Sequence, residues 1–453
     1  MENKDINFLF QKICEIEKDH ISANDLKTVD YVEKYKQMSL PLGTPVLIMA
    51  INNFEFLQHW ISIIYSGYVP IAISPSTKFN KVKGLIETFK IGALASVKMN
   101  KDLLKDITIN YSLIGSYSIA YFKQNEVLTS PGEVVILTSG TSGNNTACVH
   151  SVSSLIRNAE MHNKALGIVD KDRQLIFLPL YYSFALVAQF IGSLISGCSF
   201  VIDGPPFTID NFNKKIKDRK ITVAAITPTI ARNIINSKTQ IEKIRVLSIG
   251  GDQLIPEDVK RIYAKNISEE LYLTYGLTEA GPRVSTLAVH EVSYDYYDCV
   301  GLPFSEIKYK INKSEEDTVG ELLIKSPTLL LRKIGENVVQ PVDSEGYLHT
   351  GDCFELASNG LLKYKGRIRN FVIYKGEKVN LTNINQVVQQ FPNISYANTI
   401  LNKEKDELEL EVCLRDKAVD FSLSNLRTYI KRNLQSFEVP KFVTVKESFD
   451  FKK

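Results

Sequence analysis

The chain has 453 residues, too many for one compact core and enough for two or three domains. Its hydrophobic share of 44% with 23% charged residues is ordinary for a soluble globular enzyme. A formal net charge of +3, the difference of 54 basic and 51 acidic residues, sets up no strong field and argues against a nucleic acid polymer or an anionic membrane as partner. The six cysteines stand singly, without the close pairs of a zinc site or the density of a disulfide scaffold, so a reducing cytoplasm is expected. The polar N-terminus develops no apolar stretch with a cleavage site, so no secretion signal is expected.

In chain order, short apolar runs at 45–50, 134–137, 224–226, 246–249 and 271–273 alternate with helical stretches, the pattern of an α/β architecture with buried sheets. Residues 175–202 carry no charge and are long enough to span a bilayer. Pro179, Gln189, Gly192, Ser193, Ser196 and Gly197 interrupt them, however. The better reading is a buried strand over 175–180, a core helix over 184–194 stopped by Gly197, and a strand over 199–202, with no membrane span. After Val300-Gly-Leu-Pro303 the strands shorten, at 308–311, 320–324, 346–348 and 361–364, which predicts a β-rich subdomain over about 300–366. Beyond it a helix (383–390), strands (397–401 and 408–414) and a second helix (423–434) predict a compact α+β unit. The expected layout is an N-terminal domain over 1–366, a hinge at 367–370 and a C-terminal domain over 371–453.

Two segments carry most of the chemistry. Directly after the 134–137 run comes Thr138-Ser-Gly-Thr-Ser-Gly143, a hydroxyl- and glycine-rich turn whose backbone N–H groups and hydroxyls can wrap a polyphosphate. Tyr275-Gly-Leu-Thr-Glu-Ala-Gly-Pro282 sets an aromatic ring, a glycine, a hydroxyl and a carboxylate close together. That set can stack on a purine, let it approach the backbone, contact a phosphate and hold a hydrated Mg²⁺. His349-Thr-Gly-Asp352, Gly366-Arg367 and Tyr374-Lys-Gly-Glu-Lys378 follow in order.

With these motifs the chain resembles the adenylate-forming superfamily of acyl-CoA synthetases, peptide-synthetase adenylation domains and luciferases, from about Gly43 to the C-terminus. The resemblance implies a large N-terminal domain of α/β sheets with a small β-rich subdomain, followed by a small mobile α+β C-terminal domain. It also implies the chemistry: a carboxylate attacks the α-phosphate of ATP, pyrophosphate leaves, and the acyl group passes to the thiol of coenzyme A or of phosphopantetheine, the latter on an acyl carrier protein. ATP, Mg²⁺ and one of those thiols are then the expected cofactors, and a small carboxylic acid the substrate.

By the same resemblance Thr138, Ser139, Gly140, Thr141, Ser142 and Gly143 would hold the outer phosphates. Gly250, Gly251 and Asp252 would border the adenine opposite Tyr275 and Gly276. Thr278 would contact the α-phosphate, Glu279 would ligate Mg²⁺, and Asp352 would accept the ribose hydroxyls with support from Arg367. Tyr182, Phe184, Gly251, Gly276 and Pro282 would bound the acyl pocket, which favours an apolar or aromatic acid, while Lys375, Gly376 and Lys378 would line the thiol channel.

The sequence also departs from the family. The phosphate loop normally carries a lysine a few residues on, and Asn144-Asn-Thr-Ala-Cys148 has none. The adenylation lysine normally lies well beyond the Val439-Pro440 pair, a place that Lys452 or Lys453 fills here only if that loop is shortened. Two alternatives therefore stay open: a nucleotide-binding homologue that has lost adenylation, or an enzyme of the thioester half-reaction alone.

Overall fold

The computed structural model describes residues 4–22, 25–123, 126–138, 145–204, 207–375, 377–402, 405–415 and 421–446. Two large sheets dominate. In the first, Pro45–Met49 pairs in parallel with Val69–Ile73 and with Ala93–Ser96. Glu133–Leu137 joins next to Val69–Ile73 in parallel, Thr146–Ser151 folds back antiparallel on it, and Arg332–Gly335 closes that edge. The hairpin Thr108–Ile114 and Tyr117–Phe122 closes the other edge.

In the second sheet Ser199–Ile202, Arg173–Ile176, Val223–Ile226, Ile244–Gly250 and Ser268–Gly276 run parallel, and Arg283–Ala288 turns back antiparallel on the last of them. Sequences such as Val-Ala-Ala-Ile are apolar throughout because helices or the other layer cover both faces. Between the sheets lie the helices Phe54–Tyr65 and Val152–Leu166, whose Trp60, Leu155 and Ile156 pack with Ile48, Phe190 and Leu194 in one core.

The charge-free segment belongs to this core. Arg173–Ile176 is a strand, Phe184–Ile191 a π-helix buried along its whole length, and Gly192–Ser196 an α-helical turn. Gly197 ends it in the left-handed region at φ 73°, where a side chain would be strained, and the strand Ser199–Ile202 follows. Among the described residues no helix is long and apolar enough to cross a membrane.

Beyond the second sheet, Lys308–Asn312, Gly320–Lys325, Leu348–Leu356 and Leu362–Arg367 form a four-stranded antiparallel sheet. Here the strand expected at 346–348 begins at Leu348 and runs on to Leu356, which carries Asp352 inside a ladder. After the turn Ile368–Asn370 come the hairpin Phe371–Tyr374 and Glu377–Asn380, the helix Leu381–Gln389, and a three-stranded sheet flanked by Leu423–Asn433. Ile384, Val388, Leu410, Val412, Leu426 and Ile430 give this last unit a core of its own. It meets the 250–264 region that follows the strand Ile244–Gly250 through Gln386, whose Nε2 donates to Gln253 Oε1 at 2.7 Å, and through Arg415, 3.6 Å from Asp258 on the helix Pro256–Ala264.

Candidate active site

The strands Glu133–Leu137 and Thr146–Ser151 are the two arms of the hydroxyl-rich turn. Thr138 closes its neck, its N–H donating to Thr146 O at 3.2 Å and its hydroxyl lying 2.8 Å from that of Thr146. Ser139, Gly140, Thr141, Ser142 and Gly143 lie outside the described residues. The described residues on either side of them form an antiparallel stem.

The second motif leaves the end of Ser268–Gly276 and turns at once through Thr278–Ala280. Three neighbours hold that turn. Leu330 N donates to Glu279 O at 2.9 Å, and Asn158 Nδ2 donates to the Arg283 carbonyl at 2.9 Å while its Oδ1 accepts from Arg283 N at 2.9 Å. His150 donates from Nε2 to Thr278 O at 2.9 Å, and burial lowers its pKa to about 4, so the ring is neutral at pH 7. Thr278 is therefore held by the strand that follows the hydroxyl-rich turn, and Glu279 by Leu330.

Asp352 stands directly across the ladder from Arg367 and is 2% exposed. Tyr275 donates its hydroxyl to Oδ2 at 2.8 Å. Arg367 Nε lies 2.9 Å from Oδ1 but off the hydrogen-bond axis, so Oδ1 has an ion-pair partner and no aligned donor. Burial raises the Asp352 pKa, against the opposing pull of Arg367 and of the Tyr275 hydrogen bond.

Gly250 and Gly276 end neighbouring strands where no side chain fits. A Cβ on Gly276 would run into the Pro282 carbonyl, and one on Gly250 into the Thr274 hydroxyl. Both would also lie 3.1 Å from the guanidinium of Arg283, which fills the space above them. Gly251 follows at φ +97° with open space around it, and Asp252 is exposed, its Oδ1 turned back to accept from Gln253 N at 2.8 Å.

Arg283 was not anticipated from the sequence. It is 3% exposed, donates from Nη1 to Thr274 Oγ1 at 2.7 Å, and lies 4.2 Å from the centroid of Phe184. Among the described residues its Nε has no hydrogen-bond partner, and burial pulls its pKa down to about 10, which leaves it charged at pH 7. Phe184 thus joins Gly276 and the Pro282-Arg283 pair around a cation, where an apolar wall was expected. Tyr182 parts from that group: it lies exposed at the surface with its ring against Tyr181 at 4.5 Å.

Lys375 sits at the exposed tip of the hairpin in the left-handed region, φ 52°, its ammonium 4.9 Å from the Tyr374 ring centroid. Gly376 and the Lys378 side chain lie outside the description, as do Lys452 and Lys453. Asn370, at the end of the expected hinge, donates to Thr382 Oγ1 at 3.0 Å and so ties the turn to the following helix.

A second cation was also missed. Lys333 reaches from the edge strand Arg332–Gly335 to Glu279, with Nζ 2.7 Å from Oε1. The local sequence Arg-Lys-Ile-Gly has no strand signature, so only its pairing with Thr146–Ser151 reveals where Lys333 points. Among the described residues no three His, Cys, Asp or Glu side chains gather as metal ligands.

The fold is that of adenylate-forming enzymes. It superposes on an o-succinylbenzoate CoA synthetase from Bacillus subtilis in complex with its acyl-adenylate intermediate with a TM-score of 0.82 at 19% identity, covering 98% of this chain and 95% of that one. An amide bond synthetase from Marinactinospora thermotolerans gives 0.78 at 17% identity, over 98% and 96%. Among curated proteins, a 2-succinylbenzoate–CoA ligase of Oceanobacillus iheyensis is 23% identical over 92% of this chain and 88% of its own length. A long-chain-fatty-acid–CoA ligase of Escherichia coli is 24% identical over 82% and 68%. The model of the AMP-binding enzyme family matches residues 40–332, and the chain belongs to that family.

Proposed function

We propose that this protein is an AMP-forming acid–thiol ligase, which joins a carboxylic acid to the α-phosphate of ATP and hands the acyl group to the thiol of coenzyme A or phosphopantetheine. The observation that carries the reading is the Asp352 carboxylate, buried beside Tyr275 and Arg367 with one oxygen lacking an aligned donor. A ribose hydroxyl supplies the missing donor, and the same strand end leads to Thr278 and Glu279.

In this reading Tyr275 and Gly276 border the adenine opposite Gly250, Gly251 and Asp252, and Arg367 supports Asp352. Thr278 donates to the α-phosphate, and the 138–143 turn wraps the outer phosphates with backbone N–H groups. Glu279 would hold Mg²⁺, which when bound would supply neutralisation of the charge that develops on pyrophosphate. The remaining roles, those of Lys375 and Lys378 at the thiol channel and of Lys452 or Lys453 in adenylation, are carried over from the family resemblance alone.

The acyl group packs on Phe184 and Pro282 in this proposal. An aromatic body suits it, because the Arg283 guanidinium already stacks there and can face a second ring or an acceptor atom. Pyrophosphate release over a panel of aryl, short-chain and long-chain acids, with and without coenzyme A, tests the whole reading. Acid-dependent release is expected, with aryl acids leading. Nucleotide binding without release for any acid would favour the homologue that has lost adenylation.

Two variants probe the roles separately. Glu279→Gln is expected to cut Mg²⁺-dependent pyrophosphate release by about 10²-fold, while AMP affinity measured by calorimetry stays near that of the unmodified protein. Arg283→Met is expected to shift the preference from aryl acids with a ring acceptor toward wholly apolar acids, read as a change in the ratio of kcat/KM values. An unchanged ratio would remove Arg283 from the acyl pocket.

A further inference from the structure

Residues 138–151 contain no lysine or arginine, so the turn proposed to hold the outer phosphates brings no charge of its own. The Arg332–Gly335 strand lies directly against the strand that leaves that turn, with Lys333 opposite Cys148. Successive side chains of a strand point to opposite faces. Arg332 goes to one side, where it forks onto both oxygens of Glu133 at 2.8 and 2.9 Å. Lys333 goes to the other and meets Glu279.

The backbone at Lys333 is held as firmly as that of a built site. Lys333 N donates to Gln340 Oε1 at 2.9 Å, and Gln340 Nε2 returns a hydrogen bond to Lys333 O at 3.0 Å. Three residues on, Glu336 N donates to the carbonyl of Asn145, the first described residue after the turn, at 3.1 Å. Leu331 N donates to Val149 O at 2.7 Å. The strand is therefore clamped to the stem of the turn on both sides of Lys333. The Lys333 side chain is 22% exposed and that of Glu279 18%, which leaves both open to a ligand.

We propose that Lys333 is the cation that compensates the β- and γ-phosphates of bound ATP, and that Glu279 holds it in place until nucleotide arrives. The inference rests on the adenylation reading above. A carboxylate that takes up a magnesium–nucleotide complex gives up its contact with the ammonium, so the ammonium turns to another anion within its reach. The phosphates that enter beside Glu279 are that anion, and a lysine on a flexible four-carbon stem can swing to them. Lys333 forms and breaks no covalent bond. It screens charge as the bond between the α- and β-phosphates breaks and pyrophosphate carries the electron pair away.

The test compares nucleotides that differ only in their outer phosphates. In calorimetric titrations with excess Mg²⁺, Lys333→Gln is expected to weaken ATP binding about 10–100-fold, the scale of a lost charge-assisted hydrogen bond, and to leave AMP binding unchanged. Lys333→Arg, which keeps the charge, is expected to recover most of the ATP affinity. Pyrophosphate release should fall in Lys333→Gln while thioester formation from a synthetic acyl-adenylate continues at the normal rate. Lys333→Met, which keeps the apolar stem, provides the same comparison if the glutamine variant folds poorly. Equal weakening of ATP and AMP would overturn the inference alone and reduce Lys333 to a structural partner of Glu279. Unmodified protein that binds neither nucleotide would overturn the adenylation reading and this inference with it.

Discussion

Replacing Asp352 by alanine is expected to weaken both ATP and AMP binding by about 1.5–3 kcal/mol, the scale of hydrogen bonds to a charged group. The loss should be the same for the two nucleotides, because the proposed contact is to the ribose and not to the phosphates. This separates it from the Lys333 variants. The substitution also removes the partner of Arg367 and of the Tyr275 hydroxyl, so Asp352→Asn is the needed companion. It keeps the shape and one acceptor, and an intermediate loss is expected. Since burial already raises the pKa of Asp352, AMP affinity should decline on acidification above the ordinary carboxylate range. Calorimetry that finds the same AMP affinity in Asp352→Ala and unmodified protein would take Asp352 out of the site.

Acidification from pH 7 to pH 5 is expected to cost this protein much of its stability. His59, His150 and His162 are buried, and burial lowers their pKa values to about 3, 4 and 3. His150 and His162 each have a buried Nδ1 with no hydrogen-bond partner among the described residues, while the nearest carboxylate to His59 Nε2 is Glu55 at 4.0 Å, so a proton added to any of the three rings makes a poorly compensated buried cation. In the unfolded chain each titrates near the ordinary value of about 6.5. Below that value the unfolded state binds more protons than the folded one, so stability falls with falling pH. It keeps falling until the folded-state values near 3 to 4 are reached. Each proton is worth about 1.4 kcal/mol per pH unit, and three together about 4 kcal/mol per unit below pH 6. Summed from pH 7 to pH 5 the loss is about 6 kcal/mol, a large part of a typical total of about 5–15 kcal/mol. Urea titrations at pH 7.5, 6 and 5 would show it, and His59→Gln, His150→Gln and His162→Gln should each flatten the slope by one proton. A stability that stays level from pH 7 to pH 5 would refute the account.

Much of the frame could be read from residues alone. The apolar runs at 224–226 and 246–249 fall inside the strands Val223–Ile226 and Ile244–Gly250, and the charge-free stretch folds as strand, helix and strand, because continuous apolarity means burial on both faces. The expected helix over 423–434 appears as Leu423–Asn433. The order of the hydroxyl-rich turn, the Tyr275–Pro282 motif and Asp352 was enough to reach the family. Strands such as Arg332–Gly335 and Phe442–Lys446 were not legible: the first carries Arg-Lys at its start and the second is largely exposed, so neither shows a buried run.

What the sequence by itself determined was therefore local: which runs are buried and where turns must bend. What only the tertiary structure decided was pairing between segments far apart in the chain. Register sets Arg367 across from Asp352, strand order sets Lys333 beside Glu279, and a close approach at Gly250 and Gly276 makes room for the Arg283 guanidinium. It also parts Tyr182, left at the surface, from Phe184, buried two residues later. The physical reason is that apolarity and turn propensity are properties of neighbouring residues, whereas the partner of a charge depends on which strands lie side by side and which face each side chain takes.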